Sequence, residues 1–468
     1  MPQAPVQIAL RSNPGRYTFS GNARLLNAYA EQQGADGKQP YAVLPRPGLS
    51  LFSAVTDTPG RGQIFCEDLG CIYAVHSSGV FKVLEDGTAS RIGTVPGVDQ
   101  VQMSRNQSVP AQISIHCAAG EYYVQNDAVK SVADFDVTGE SIVSQDNVKG
   151  YTVYFARSGK FVYSSINDCA NVDGLDFATA EQSADTGVRV KTNGPDVFFF
   201  GAQTIEPWRV TGDADLPFEL IGGAVQQRGM IALQGVVETD NTLMFPGEDN
   251  QFYRLSSYSA QKISTHAQDR LLEAEESRES VAGFAYSFQG HAFAAWSGTT
   301  WTATYDAATQ VWHDCQSYNL PNWRARNGVR AWGRTIVQDS QSGNLFYLDG
   351  DTFTEGDAPL IWGVDTCFLN AFPNGGIVDA LYLDMQTGVG LVNGSEPKIM
   401  LSWSVDGGKT FKGNRELSLG ARGQHSVRLV TRRIGRFGPQ GIQFRVRISD
   451  PVIRALVAME ATVRPLKR

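Results

Sequence analysis

The sequence is short of charge. Asp, Glu, Lys and Arg make up only 19% of its 468 residues, low for a freely soluble monomer, which points to large buried protein interfaces. It also lacks a cysteine framework. Its six cysteines (Cys66, Cys71, Cys117, Cys169, Cys315 and Cys367) are scattered along the chain. Disulfide scaffolds are small and dense, so buried free thiols are expected. Cys66 and Cys71 flank an Asp68-Leu69-Gly70 turn as half a zinc site would, but no second pair and no suitably spaced histidines accompany them, and no metal is expected. No apolar run approaches the roughly 18 residues of a membrane helix. The opening MPQAPVQIALRS lacks the basic start and apolar stretch of a secretory signal, so a protein made and kept in a cytoplasm until it joins something is expected. Phosphate loops, Rossmann glycines and nucleophile elbows are missing too, which argues against nucleotide cofactors and hydrolase triads.

What the chain has is glycine and rings: 48 Gly, 24 Phe, 16 Tyr and 8 Trp, the mixture that many short strands and tight turns require. The clearest stretch is 281–315. Phe284, Tyr286 and Phe288 alternate with small residues, Gln289-Gly290 turns, and His291, Phe293 and Ala295 alternate again. Ser297-Gly298 turns, Trp301, Ala303 and Tyr305 follow, then Asp306 to Gln310 turns into Val311 and Trp312. Four short strands in so few residues form an antiparallel meander. Its aromatic face cannot be buried alone and its edges are open, so it must stack on similar units; radial stacking is the β-propeller solution. Trp301 and Tyr305 should then be buried between blades.

Comparable hairpins recur roughly every 45–50 residues, the range of propeller blades. They include 71–95, 101–136, 151–165, 196–210, 241–255 and 333–349. The spacing predicts one helix over 264–277, with a Ser or Thr cap and an acidic end. Arg24 to Glu31 reads as a short polar–apolar segment. In Tyr41 to Gly48 two prolines argue for an edge strand or extended arm. Beyond Leu360 the strands lengthen, at 378–385, 398–404, 424–430 and 442–448. The expected fold is mainly β: an N-terminal arm or platform segment (1–55), a β-propeller (56–364) and a separate C-terminal β-sandwich-like platform domain (365–468).

Charge is segregated. Residues 401–468 hold 14 Lys or Arg against 4 Asp or Glu, a surplus of ten in a chain of net charge −8, so residues 1–400 carry −18. Arg428, Arg432, Arg433, Arg436, Arg445 and Arg447 are the densest part, and Arg445 and Arg447, two apart, share one strand face. The run reads as a solvated face, a phosphate contact or a protein interface. The acidic remainder of the chain favours a protein interface at Arg432, Arg433, Arg436, Arg445 and Arg447.

Ser404-Val-Asp406-Gly-Gly408-Lys-Thr410-Phe411 fits the Asp-box pattern of sialidase propellers. That keeps open a carbohydrate-binding or sialidase-like propeller. The plainer reading is a well-made hairpin in which Ser404 and Asp406 satisfy turn amides and Phe411 packs beneath. A glycosidase also needs two carboxylates flanking a sugar. Asp306, Asp314, Asp349 and Asp351 sit in turns where Asp is ordinary, and no pair can be selected. No catalytic residue is assigned.

Arg24-Leu-Leu-Asn-Ala-Tyr-Ala-Glu31 followed by Pro45-Arg-Pro-Gly-Leu49 resembles the N-terminus of the tail hub, or nozzle, proteins of short-tailed bacteriophages. So do Ile205-Glu-Pro-Trp-Arg-Val-Thr-Gly212, Ile263-Ser-Thr-His-Ala267, Gly290-His291, Tyr305-Asp306 and Trp312-His313. Arg432-Arg-Ile-Gly-Arg436 with Phe444-Arg-Val-Arg447 is similar to the end of the packaged-DNA-stabilisation protein of that group. The motifs are collinear over nearly the whole chain. The resemblance implies a homo-hexameric, non-catalytic ring below the portal and the adaptor (head-to-tail connector). That ring would continue the channel for packaged double-stranded DNA, retain the genome until ejection, and anchor tail fibres, tailspikes or a needle. It implies a place in the virion tail after assembly in the host cytoplasm, with no membrane insertion and no cofactor.

Overall fold

Alternating apolar residues make short strands, and residues that tolerate positive φ join them. Asn126-Asp127, Asp240-Asn241 and Gln289-Gly290 all take the left-handed region at hairpin tips, which suits the twist of two-residue turns. The computed structural model of the chain, which describes residues 3–132, 140–180, 185–213, 216–391 and 394–466, is assembled from such hairpins.

Among the described residues seven four-stranded units follow one another. Blades 1 to 6 span 60–94, 102–131, 142–179, 187–220, 237–262 and 282–314, each a meander in chain order. The expected hairpin at 101–136 is blade 2, and the part of it at 133–139 lies outside the described residues. Blade 7 takes Ala325–Ala331, Arg334–Asp339 and Gly343–Asp349, and its fourth strand is Gly48–Thr56 from near the N-terminus. The first strands of successive blades lie innermost. Contacts between Ala325–Ala331 and Gly60–Cys66 bring blade 7 against blade 1, so the ring closes.

Blade 6 shows how period-2 patterning builds the ring. Phe284, Tyr286, Phe293 and Ala295 face blade 7 and pack with Trp323, Val337 and Phe346. Ala294, Trp296, Trp301, Ala303, Tyr305 and Trp312 pack with Val237, Met244 and Phe252 of blade 5. Trp301 and Tyr305 are thus buried between blades, and each such ring contributes roughly 1.5–3 kcal/mol. The helix is shorter than the spacing suggested: His266–Glu273, with Thr265 as N-cap and Gln268 completing a capping box. Its acidic end unwinds because Glu275 turns away to accept bonds from the Thr299 amide and hydroxyl, at 3.0 and 2.8 Å.

The C-terminal sandwich has two sheets around a core that includes Leu25, Val43, Trp362, Leu381, Leu401, Phe444 and Leu456. One sheet runs Ala28–Gln32, Tyr41–Pro45, Leu456–Pro465, Gly376–Met385, Leu429–Phe437, with Gln3–Pro5 also paired to Leu456–Pro465. Tyr41–Pro45, expected at an edge or in an arm, lies inside this sheet; Pro45 ends the strand and Pro47 lies past it. The strand expected at 424–430 starts at Leu429 instead, because Gly420 and Gly423 hold left-handed turns ahead of it. The second sheet contains Trp362–Asp365, Gln443–Ile448, Lys398–Ser404 and Lys412–Ser418.

The two bodies share a sheet. Arg24–Leu26 pairs with Val311–Asp314 of blade 6 on one side and with Trp362–Asp365 of the sandwich on the other. A single nine-stranded sheet therefore runs from the propeller into the sandwich.

Candidate interface: two arginine strands

The five arginines divide between two strands. Arg445 and Arg447 lie on Gln443–Ile448, inside the nine-stranded sheet. Across it, Arg24, Asp365, Arg445 and Ser402 form one cross-strand row. Asp365, 1% exposed, takes Arg445 in a two-pronged contact at 2.9 and 2.8 Å and Arg447 at 2.8 Å. Arg447 reaches it only because its strand partner is Gly363, where a Cβ would lie 2.5 Å from the Arg447 side chain. Burial pulls the Arg447 guanidinium down to about 10 although Asp365 opposes the shift. Arg24, at 2.5 Å from Asp314, carries the network into blade 6. Asp314 raises the Arg24 guanidinium above its ordinary value.

Arg445 also lies 3.6 Å over the Phe411 ring, which ties the Asp-box hairpin to the same seam. The box is occupied internally. Ser404 Oγ donates to Asp406 at 2.7 Å, and Asp406 accepts from the Lys409 and Thr410 amides and the Thr410 hydroxyl. Those bonds hold the Asp406 carboxyl well below its usual range. Three of the other carboxylates considered for sugar chemistry are similarly engaged. Asp306 bonds His291 and Thr309, Asp314 holds Arg24, and Asp349 accepts from Ser50, Thr352 and the Asp351 amide. Cys66 and Cys71 face each other in a buried hairpin.

Arg432, Arg433 and Arg436 behave differently. They sit on Leu429–Phe437, an edge strand, and all three are exposed. Neighbours in a regular strand point to opposite faces; here a bulge intervenes between Arg432 and Gly435, with Arg433 at φ 60°, and both neighbours reach solvent. Arg415 closes the strand's outer edge. Stacked 5.2 Å from Trp403, it donates to the Thr431 hydroxyl and to the Arg432 and Arg433 carbonyls. Among the described residues no carboxylate pairs with Arg432, Arg433 or Arg436, whereas nearby Arg464 holds Asp379 at 2.6 Å through both prongs.

Two further buried cations escape a reading of arginine density. Arg46 pairs with Glu355 at 2.5 Å, both essentially inaccessible, with Trp323 donating to the same carboxylate at 3.0 Å and its ring under the guanidinium. Arg454 donates to the Leu360, Phe353 and Asp450 carbonyls. Both are isolated in sequence, and the only available signal was Pro45-Arg46-Pro47.

Two family models match the chain: "Bacteriophage P22 Gp10, beta-propeller" over residues 22–353 and "Bacteriophage P22 Gp10, beta-sandwich" over residues 361–464. No curated protein matches it. Among solved structures, a computationally designed protein, Ika8, matches at 10% identity and TM-score 0.39, covering 68% of this chain and 96% of that one. A catalytically inactive virginiamycin B lyase from Staphylococcus aureus matches at 9% identity and TM-score 0.44, covering 64% and 99%. BBS1N in complex with ARL6DN matches at 9% identity and TM-score 0.42, covering 65% and 96%. With propeller and sandwich matched in order along the chain, this protein belongs to the bacteriophage P22 Gp10 family of structural phage stabilisation proteins.

Proposed function

We propose that the chain is a non-catalytic subunit of a homo-hexameric tail ring, seated below the portal and adaptor. The ring continues the channel for double-stranded DNA, retains the packaged genome, and anchors fibres, spikes or a needle. In this reading 56–364, completed by Gly48–Thr56, forms the propeller, and 365–468 forms the docking platform together with Trp362–Asp365 and the rest of 1–55. The supporting observation is the exposed trio Arg432, Arg433 and Arg436, unpaired within the described chain, on a protein whose first 400 residues carry −18. Crowded like charges repel, so the trio calls for an opposing anionic surface. DNA is one such surface, but every phosphate held adds about one unit to the salt slope of binding and would slow passage. An acidic subunit above or beside is the better partner. Arg445 and Arg447, both held by Asp365, contribute to that platform by bracing it against blade 6.

The test is the double change Arg432→Glu/Arg433→Glu, followed by sedimentation alone and with the adaptor. The expected result is a folded protein that fails to form the ring or to bind the adaptor. Normal assembly into particles that leak DNA would place the arginines on the genome instead.

A further inference from the structure

The innermost strands of the propeller line an open polar pocket of about 270 Å³, with Arg189, Lys191, Gln234, Gln63, Asn327 and the carboxylate Glu238 among its walls. Most of its polar groups are satisfied. Gln102 donates to the Val143 carbonyl and accepts from Ser144 and the Gln145 amide. Asn327 donates to Gln338 and Gln100. Lys191 sits 3.0 Å from Asp146 and 3.6 Å from Glu238.

Arg189 is the exception. Its Nε and Nη1 are buried and have no partner. Asp146 makes no hydrogen bond to them: one of its oxygens accepts from the Asn147 amide and the other from Lys191 and from the Thr192 amide and hydroxyl. Two more groups of the same pocket are orphaned: Gln234 Nε2, a donor, and Gln63 Oε1, an acceptor. The orientation of Gln63 is set by its Nε2, which donates to the Asn327 and Ile336 carbonyls at 2.5 and 3.0 Å. Burial lowers the Arg189 guanidinium to about 10, against the opposing charge of Asp146. Buried polar groups left unpaired are costly and rare, and three donor nitrogens and one acceptor in one pocket describe a missing ligand.

We propose that this pocket is a binding site for inorganic phosphate: Arg189 and Gln234 donate to its oxygens, and its P–OH donates to Gln63 Oε1. A planar carboxylate offers no proton to Gln63, and sulfate at neutral pH offers none either. A guanidinium fork suits the oxygens of a tetrahedral oxyanion. The volume is many times what one water needs, so the ion fits with part of its hydration.

Titration calorimetry of the full chain with inorganic phosphate, sulfate and acetate tests the site. Saturable binding of one phosphate per chain is expected, with sulfate weaker and acetate weaker still. Arg189→Gln should weaken phosphate by at least about tenfold, and Gln234→Leu by less. If Arg189→Gln does not fold, Arg189→Lys, which keeps the charge and loses the fork, should show an intermediate loss. Absence of saturable phosphate binding to the wild-type chain would overturn the proposal. So would equal affinity for phosphate and acetate, or an affinity unmoved by the Arg189 and Gln234 changes.

Discussion

The strands Gln443–Ile448 and Leu429–Phe437 carry arginine at similar density, and the fold treats them in opposite ways. Arg445 and Arg447 are gathered onto one buried carboxylate, Asp365, at the seam where propeller and sandwich share a sheet. Arg432, Arg433 and Arg436 are thrown outward by a bulge on an edge strand, with no carboxylate assigned to them among the described residues. A basic run is therefore two different things within twenty residues: an internal brace and an exposed contact surface. A buried charge depends on its partner, because removing one member leaves the other uncompensated. An exposed charge contributes little to stability and is free to serve association.

The comparison can be broken or sharpened by substitution. The largest effect is expected away from both strands, at the most deeply buried pair. Glu355→Ala leaves Arg46 unpaired and should cost about 5 kcal/mol, the upper end for such pairs, read as a fall in the denaturant midpoint. Pairing it with Arg46→Met should recover much of that loss. Asp365→Ala should cost about 3 kcal/mol, because its two arginines are partly reached by water. A loss under about 0.5 kcal/mol would remove the distinction between brace and surface.

Per pH unit, a smaller effect is expected from acidification. His313, fully buried beside the seam strand and without a partner at either ring nitrogen, is held neutral, its pKa pulled by burial to about 3. The unfolded chain takes up that proton near pH 6.5, so the neutral ring carries no penalty above that pH. Stability should fall below it, by up to about 1.4 kcal/mol per pH unit, until the folded pKa is passed. His313→Phe should flatten this part of the difference curve, and an unchanged slope would show that the ring is already charged in the fold. The smallest effect belongs to the exposed trio. Arg432→Glu/Arg433→Glu should move the unfolding midpoint by no more than the equivalent of about 0.5 kcal/mol while abolishing assembly.

Much of the propeller was legible because a blade is local. The ring pattern of 284–312 dictates four strands and two aromatic faces, and the structure reproduces all four. Blades whose strands lack rings were harder to see: Gly187–Asn193 and Ala325–Ala331 are inner strands rich in Arg, Asn and Gly, and alternation does not mark them. The helix came out too long because its acidic tail looked helical while Glu275 had a better use at Thr299. At the arginine strands, side-chain parity correctly put Arg445 and Arg447 on one face, but nothing in the run distinguished them from Arg432 and Arg433. Their counter-ion is some eighty residues upstream.

Sequence alone determined the repeating antiparallel hairpins, their turns, their aromatic faces and the excess of positive charge near the C-terminus. Each is written in residues a few positions apart, where period-2 alternation and positive-φ turns act directly. Only the tertiary structure decided that Gly48–Thr56 completes blade 7, that Arg24–Leu26 welds blade 6 to the sandwich, and which arginines find a carboxylate. The two strand choices join segments roughly 290 to 340 residues apart along the chain, as with Arg24 and Asp314 or Arg24 and Asp365, and the arginine choice spans some eighty. A strand edge offers the same backbone donors and acceptors whatever its sequence. Its partner is therefore selected by the packing of the whole ring and sandwich, and not by local pattern.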